Sequence, residues 1–161
     1  IIRGLVGSEM CIRDRTWTSD QNITFEKIIT LDENYLFSVD QRVINNSGLS
    51  FDLYPYGLSK RQGIPEMQNF FILHEGPLSI TDGVLEEYDY DDLKDDKKIK
   101  HSSVGGWIGM TDKYWQTAII PNQNEPVQQT YSYSFVDNID NFQTDIVGER
   151  IAVSNLSLIH I

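Results

Sequence analysis

Cysteine is almost missing from this 161-residue chain, with the single Cys11 standing near its start. That excludes a disulfide framework within the chain, a cysteine metal centre and dithiol redox chemistry. Histidine is scarce too, at three residues, and no HExxH helix, GxSxG elbow or phosphate-loop pattern occurs. Basic residues are in deficit: 13 Lys and Arg face 24 Asp and Glu, a formal net charge of -11. No basic footprint for phosphate is left, so no nucleic acid is expected as a partner, and direct adhesion to anionic lipid is disfavoured. Uninterrupted apolar runs of about 18 residues are also absent, so no stretch reads as a membrane-spanning helix.

What remains is a succession of short alternating segments. Ile23 to Glu26 and Ile29 to Leu31 alternate apolar with polar side chains, and in the next run Tyr35, Phe37, Val39 and Val43 share one face against Ser38, Asp40 and Arg42. A period of two marks half-buried antiparallel strands, which predicts Phe37 and Val39 on the buried side. Asp32 to Asn34 and Asn45 to Gly48 supply turn chemistry between these runs, so the first strands read as a meander. Leu49, Phe51 and Leu53 continue the pattern until Pro55 and Gly57 signal an edge or bulge. Further strands are expected at Phe70 to His74, Val84 to Tyr90, Trp107 to Met110, Gln116 to Ile120, Val127 to Val136 and Phe142 to Val147. With no helix longer than a turn or two, the fold class is all-β, an antiparallel two-sheet β-sandwich.

One corner stands out. In Gly105 to Pro121, GGWIGMTDKYWQTAIIP, a glycine pair precedes two apolar strands separated by a polar, aromatic step. Gly105 and Gly106 permit a bend or close backbone approach, Asp112 to Trp115 makes a tight turn or a single helical turn, and Pro121 stops the second strand. Trp107, Tyr114 and Trp115 add large apolar surface. The expectation is a packed structural corner with at least one buried tryptophan and without a nucleophile or metal cluster.

Other candidate chemistry is thin. Glu86 to Lys98 is rich in acids, but Asp89 to Asp92 has neither the glycine nor the terminal glutamate of a calcium loop, so a solvated strand end and loop is expected, with Tyr88 and Tyr90 alternating across a strand. His74 and Glu75 form a His-carboxylate pair, yet neighbours in a strand point to opposite faces and do not converge on one substrate. Catalytic residues, cofactor and metal are therefore all expected to be none, and His74 reads as a turn residue before Gly76 and Pro77.

The corner closely resembles a segment of the periplasmic domain of the YidC membrane-protein insertase family, in which GGW-(I/V)-G-x-x-D-K-Y-(W/F)-x-T-A-(I/L)-I-P recurs. Trp17-Thr18, Tyr54-Pro55-Tyr56-Gly57-Leu58 and Phe71-Ile72-Leu73-His74-Glu75-Gly76-Pro77 extend the resemblance in the same order. It implies the large "supersandwich" also used by galactose-mutarotase-like proteins. It also implies a non-catalytic module on the periplasmic face of the bacterial inner membrane, with Sec translocase components and nascent membrane proteins as partners. Membrane tethering would come from segments absent from this chain. A carbohydrate-binding or aldose-epimerase-like sandwich is the alternative, favoured by a cleft lined with Trp107, Tyr114 or Trp115.

The resemblance covers residues 16–154, taken as a partial domain. Residues 1–15 and 155–161 carry neither strand alternation nor a helical stripe and resemble sequencing-adapter read-through. They are expected to be artefact or disordered and to add little to the core. No apolar core of about 7–15 residues follows Arg3, so an export signal is expected upstream.

Overall fold

The computed structural model describes residues 11–64 and 74–160. Along the chain run β1 (Cys11–Thr18), β2 (Ile23–Leu31), β3 (Phe37–Asn45), β4 (Phe51–Leu53) and β5 (Tyr56–Gln62). They are followed by β6 (Gly76–Thr81), β7 (Val84–Glu87), the helix α1 (Tyr90–Asp96) and β8 (Lys98–Val104). The last elements are β9 (Trp107–Asp112), β10 (Trp115–Ile119), β11 (Pro126–Val136), β12 (Ile139–Gly148), β13 (Ile151–Val153) and β14 (Ser157–His160). Among the described residues the fold is all-β with one short helix, and every strand pair is antiparallel. Two compact units result: one joins the chain up to Leu53 with the residues from Ile151 onward, and the other comprises Tyr54–Arg150.

The second unit is a sandwich of two four-stranded sheets, ordered β10-β9-β6-β7 and β5-β12-β11-β8. Its core lies between them, built from Ile108 and Met110 of β9, Tyr131 of β11 and Phe142 of β12. Alternation explains this placement, since each strand sends every second side chain inward. The helix closes the core. Asp89 caps it through reciprocal hydrogen bonds with Asp92, and Tyr90 and Leu93, three residues apart, fall on the face that is buried.

This helix corrects the sequence expectation, because the strand from Val84 ends at Glu87 and Tyr90 belongs to α1. The capping box at Asp89 offers the backbone a helical start that strand pairing does not. The expected strand at Phe70 to His74 lies, apart from His74, outside the described residues. Strands β5, β6, β8 and β13 were not anticipated. In β5 a clean alternation follows Gly57, its burial stepping in period two along the strand, but Pro55 and Gly57 look like breakers in the sequence.

The first unit is a sheet ordered β1-β2-β3-β14, with the two-stranded ribbon of β4 and β13 packed on one of its faces. The register places Ile23 opposite Asn45, Phe25 opposite Val43, Ile29 opposite Val39 and Leu31 opposite Phe37. Directly opposed residues share a face, so these form two apolar patches on one face, separated by the Arg15–Lys27–Gln41 row. The ribbon covers only one end of it. Ile23, Val43 and Val153 are buried there, with Phe25, Phe51, Leu53 and Ile151 packed around them. Phe37 and Val39, expected inside, are instead 65% and 49% exposed. The reason is length: nine residues of β2 and β3 span roughly 30 Å, whereas the three-residue strands of the ribbon reach only about 10 Å.

Strand pairing also passes the expected limits of Thr16 and Ser154. Cys11 to Arg15 pair with Leu31 to Lys27, and Ser157 to His160 pair with Asn45 to Arg42. A peripheral strand needs only backbone hydrogen bonds, which the side-chain pattern does not report, and Arg13 to Thr18 are exposed.

Asn45 ties the unit together. Its amide nitrogen donates to the carbonyls of Leu49 at 2.7 Å, Val153 at 3.0 Å and Ser154 at 3.1 Å, while its oxygen accepts from the Ser47 backbone and hydroxyl. The side chain is fully buried. Asn45→Ala is therefore expected to lose about 1–3 kcal/mol of stability in urea denaturation. Asn46→Ala, at an exposed neighbour, should stay within about 0.5 kcal/mol; equal effects at the two positions would refute the assignment.

Candidate functional site

The corner singled out by sequence lies in the second unit and turns on two glycines. Gly105 and Gly106 both have positive φ, +65° and +75°. A side chain at Gly106 would strike the Ile80 carbonyl, and one at Gly105 would lie 2.6 Å from the carbonyl oxygen of Gln123. The bend is locked by Gln123, whose oxygen accepts from the Gly106 amide at 3.1 Å. The nitrogen of the same side chain donates to the carbonyls of Gly106 at 2.9 Å and Pro121 at 2.8 Å. Fully buried Gln129 supports the bend from beneath by donating to the Ile80 carbonyl and accepting from Thr81. Neither glutamine stood out in the sequence, where both sit in polar stretches resembling loop or strand surface.

Beyond the bend, β9 and β10 form a hairpin closed by Lys113 and Tyr114, with Asp112 paired to Trp115. The aromatic residues divide. Trp107 is half-buried, whereas Tyr114 and Trp115 are 81% and 80% exposed. Tyr114 sits in the two-residue turn beyond the end of the sheet, and Trp115 begins β10, an edge strand among the described residues, so aromatic content alone does not bury them. Lys113 Nζ stands 5.3 Å from the centre of the Tyr114 ring.

Asp112 turns inward. One of its oxygens pairs with Arg61 of β5, in the opposite sheet, and the other accepts a 3.0 Å hydrogen bond from the hydroxyl of Tyr90 on α1. The Arg61 and Asp112 side chains are 30% and 18% exposed, so the pair is better shielded than an ordinary surface bridge. Burial raises the Tyr90 hydroxyl pKa above its ordinary value; Arg61 opposes this and Glu75 adds to it. Arg61 and Tyr90 were missed because β5 and α1 were missed.

An open groove of about 480 Å³ lies beside this junction. Lys60, Arg61 and Gln62 of β5 line it with Asp112, Trp115 and Thr117 of the hairpin. Ser59 and Thr117 join its two sides through a 3.0 Å hydroxyl contact. An exposed indole facing charged and amide side chains suits a ligand with both an apolar face and hydrogen-bonding groups. Among the described residues β10 is also an edge of its sheet.

The histidines lie elsewhere. His74 Nε2 is 3.2 Å from the Pro77 carbonyl oxygen, and its Nδ1 is 3.8 Å from Asp89. His101 Nε2 shares a 2.8 Å hydrogen bond with the Tyr88 hydroxyl, and its ring stands edge-on to Tyr131. Each ring is thus engaged locally, and neither His74, Glu75 nor His101 lines the groove. Among the described residues no group of three or more His, Cys, Asp and Glu side chains is arranged to hold a metal ion.

Comparison with known proteins agrees with the corner's wording. Residues 13–157 match the family described as the YidC periplasmic domain. A membrane protein insertase YidC from Bradyrhizobium diazoefficiens is 35% identical over 138 residues, 86% of this chain and 22% of that protein. The protein of the same name from Pelagibacter ubique is 43% identical over 118 residues, 73% of this chain and 21% of its own length. That from Rickettsia canadensis is 39% identical over 133 residues, 82% of this chain and 24% of its own. The chain thus spans about a quarter or less of the length of these relatives. Among the described residues no helix is long and apolar enough to cross a membrane.

Two outcomes follow from the junction and the core beneath it. Asp112→Ala should cost about 1–3 kcal/mol, because Arg61 and Tyr90 both lose their partner in a partly desolvated place. Asp112→Asn, which keeps an acceptor for Tyr90, should cost less, and denaturant midpoints compare the two. The second outcome concerns alkaline pH. Burial raises the Tyr131 and Tyr90 pKa values above the ordinary 10.0. The unfolded chain then releases those protons first, so the stabilisation is complete below pH 10 and is lost as pH rises above it. Tyr131→Phe should flatten that decline; an unchanged slope would show that Tyr131 does not contribute to it.

Proposed function

Because the chain belongs to the family of YidC periplasmic domains, we propose that it is the extracytoplasmic module of a membrane-protein insertase. In this role it assists insertion and folding of inner-membrane proteins by docking Sec translocase components or extended nascent segments, without catalysis. Residues 16–154 would form part of the domain, held at the periplasmic face of the inner membrane by spans elsewhere in the longer protein.

The observation that supports docking most directly is β10. Its sheet position leaves a backbone edge facing outward among the described residues, and Trp115 stands exposed beside an open groove on the same strand. An extended segment can add to such an edge through main-chain hydrogen bonds that ignore sequence, while the indole and the groove accept one side chain. Tolerance of sequence is what a module serving many membrane proteins requires. Catalysis finds no comparable support, since His74 and His101 are each committed to a neighbour in the fold.

The groove also favours a second reading, a carbohydrate site in which Trp115 stacks on a sugar face while Arg61, Asp112 and Gln62 meet its hydroxyls. Binding measurements separate the two. An extended apolar peptide should bind the purified domain, and Trp115→Ala should weaken it by about tenfold or more. A mutarotation assay should show the wild-type domain and the His74→Ala, Glu75→Ala and His101→Ala variants all equal to the buffer blank. If sugars bind through Trp115 and peptides do not, the carbohydrate reading replaces the docking one. Turnover that disappears in one histidine or glutamate variant would overturn the non-catalytic role.

A further inference from the structure

One end of the second unit carries two hairpin tips, one from each sheet. Asp112, where β9 ends, pairs with Arg61, which lies opposite Phe142 of β12. Tyr90 links the same two places, its hydroxyl on Asp112 and its ring 4.6 Å from that of Phe142. Phe142 is close to Ile139, where β12 begins, so the Lys113–Tyr114 and Asp137–Asn138 turns leave the sandwich at the same end. Gly105 marks the opposite end, its amide donating to the Glu125 carbonyl. Hairpin ends are ordinarily polar, and these are not. Val136 stands directly opposite Ile139 beside a turn in which Asp137 and Asn138 have φ of +53° and +60°. Phe135 continues the inward-facing series of Tyr131 and Tyr133 past the point where the core stops. Phe135 is 60%, Val136 54% and Ile139 43% exposed, and Tyr114 on the other tip is more exposed still.

The chemistry of the tips indicates the occupant. Tyrosine and aliphatic side chains flanked by lysine make the composition that settles at the boundary of a bilayer, where rings and lysine stems lie among acyl carbons and the polar ends reach the headgroups. Lys113 stands against the Tyr114 ring. Lys97 and Lys98 are exposed just behind the other tip, where the Lys97 carbonyl accepts from the Tyr133 amide and Lys98 lies opposite Ser132. Asp95, Asp96 and Asp137 offset these lysines, and the chain as a whole is acidic, so charge selects a zwitterionic bilayer over an anionic one. A partner protein would need a broad, complementary contact, whereas two separate projecting tips suit a fluid surface. We propose that this end of the second unit rests in the interfacial region of a zwitterionic phospholipid bilayer, with Tyr114, Phe135, Val136 and Ile139 among the headgroups and upper acyl carbons. The proposal builds on the reading of the chain as a module held at the periplasmic face of the inner membrane. Tyr114 and Trp115 belong to one hairpin, so the β10 edge and its groove then lie at the bilayer surface, beside the segments they would dock.

Vesicle binding with a polarity-sensitive fluorophore tests this in the present chain, with Cys11 replaced by serine. The dye is placed on Tyr114→Cys or Ile139→Cys at the proposed bilayer end, or on exposed Asn124→Cys at the other. On addition of phosphatidylcholine vesicles, emission at positions 114 and 139 should shift to the blue and gain about twofold or more in intensity, while position 124 stays unchanged. Phosphatidylglycerol vesicles should give a weaker response. In the same chain labelled at position 114, the double substitution Val136→Thr with Ile139→Thr keeps shape and strand preference, and should weaken vesicle affinity by about fivefold or more. Phe135→Leu, which stays apolar, should bind nearly as well as the parent. Silence of the dye at 114 and 139, an equal response at all three positions, or unchanged affinity in the double threonine variant overturns the proposal. A response to phosphatidylglycerol alone would identify an anionic headgroup site, and a blue shift that grows with protein concentration before any vesicle is added would identify a second copy. Either result also overturns it. The peptide experiment with Trp115→Ala contains no lipid, so docking at β10 stands or falls separately.

Discussion

In the second unit, the two sheets and the helix meet at a single carboxylate. Asp112 ends β9, pairs with Arg61 across the sandwich and accepts from Tyr90 of α1. Three elements distant in sequence are thereby fixed at one point, next to the core formed by Ile108, Met110, Tyr131 and Phe142. Hydrophobic burial holds these layers together but has no direction. The ion pair and hydrogen bond do have direction, and they set the β9–β10 hairpin in one orientation against β5.

That orientation produces the surface on which the proposed docking depends. With Asp112 held against Arg61, Tyr114 in the turn and Trp115 on β10 stay exposed, and the space between β5 and β10 remains an open groove. The glycine bend at the other end of β9 works toward the same result. Gln123 satisfies its backbone groups and Gln129 holds the neighbouring Ile80 carbonyl, so β9 enters the sheet from a fixed turn. A recognition surface on a preorganised hairpin loses little freedom on binding, which would strengthen the proposed docking.

The first unit shows a different constraint, the amphipathic sheet. The β2–β3 pair runs for nine residues with Ile23, Phe25, Ile29 and Leu31 on one face, yet the ribbon above it is only three residues long. Asn45 secures the end that is covered, by donating to the successive carbonyls of Val153 and Ser154 at the end of β13. The other end retains a buried-type surface without a buried environment.

Much of this was legible in the sequence because strand period and turn chemistry are local properties. The courses of β2, β3, β9, β10, β11 and β12 followed from alternation, and the family followed from the ordered wording of the corner. The helix at Tyr90 escaped notice because its seven residues sit in an acidic run whose cap and two buried side chains matter only when a core lies beneath them. The strands β1 and β14 escaped because backbone pairing at a periphery leaves no trace in side-chain pattern. Alternation established which side chains share a face, since that depends on the backbone alone. Whether Phe37, Val39 or Trp115 meets protein or water depends on how far another layer extends over that face, and that only the tertiary structure decided.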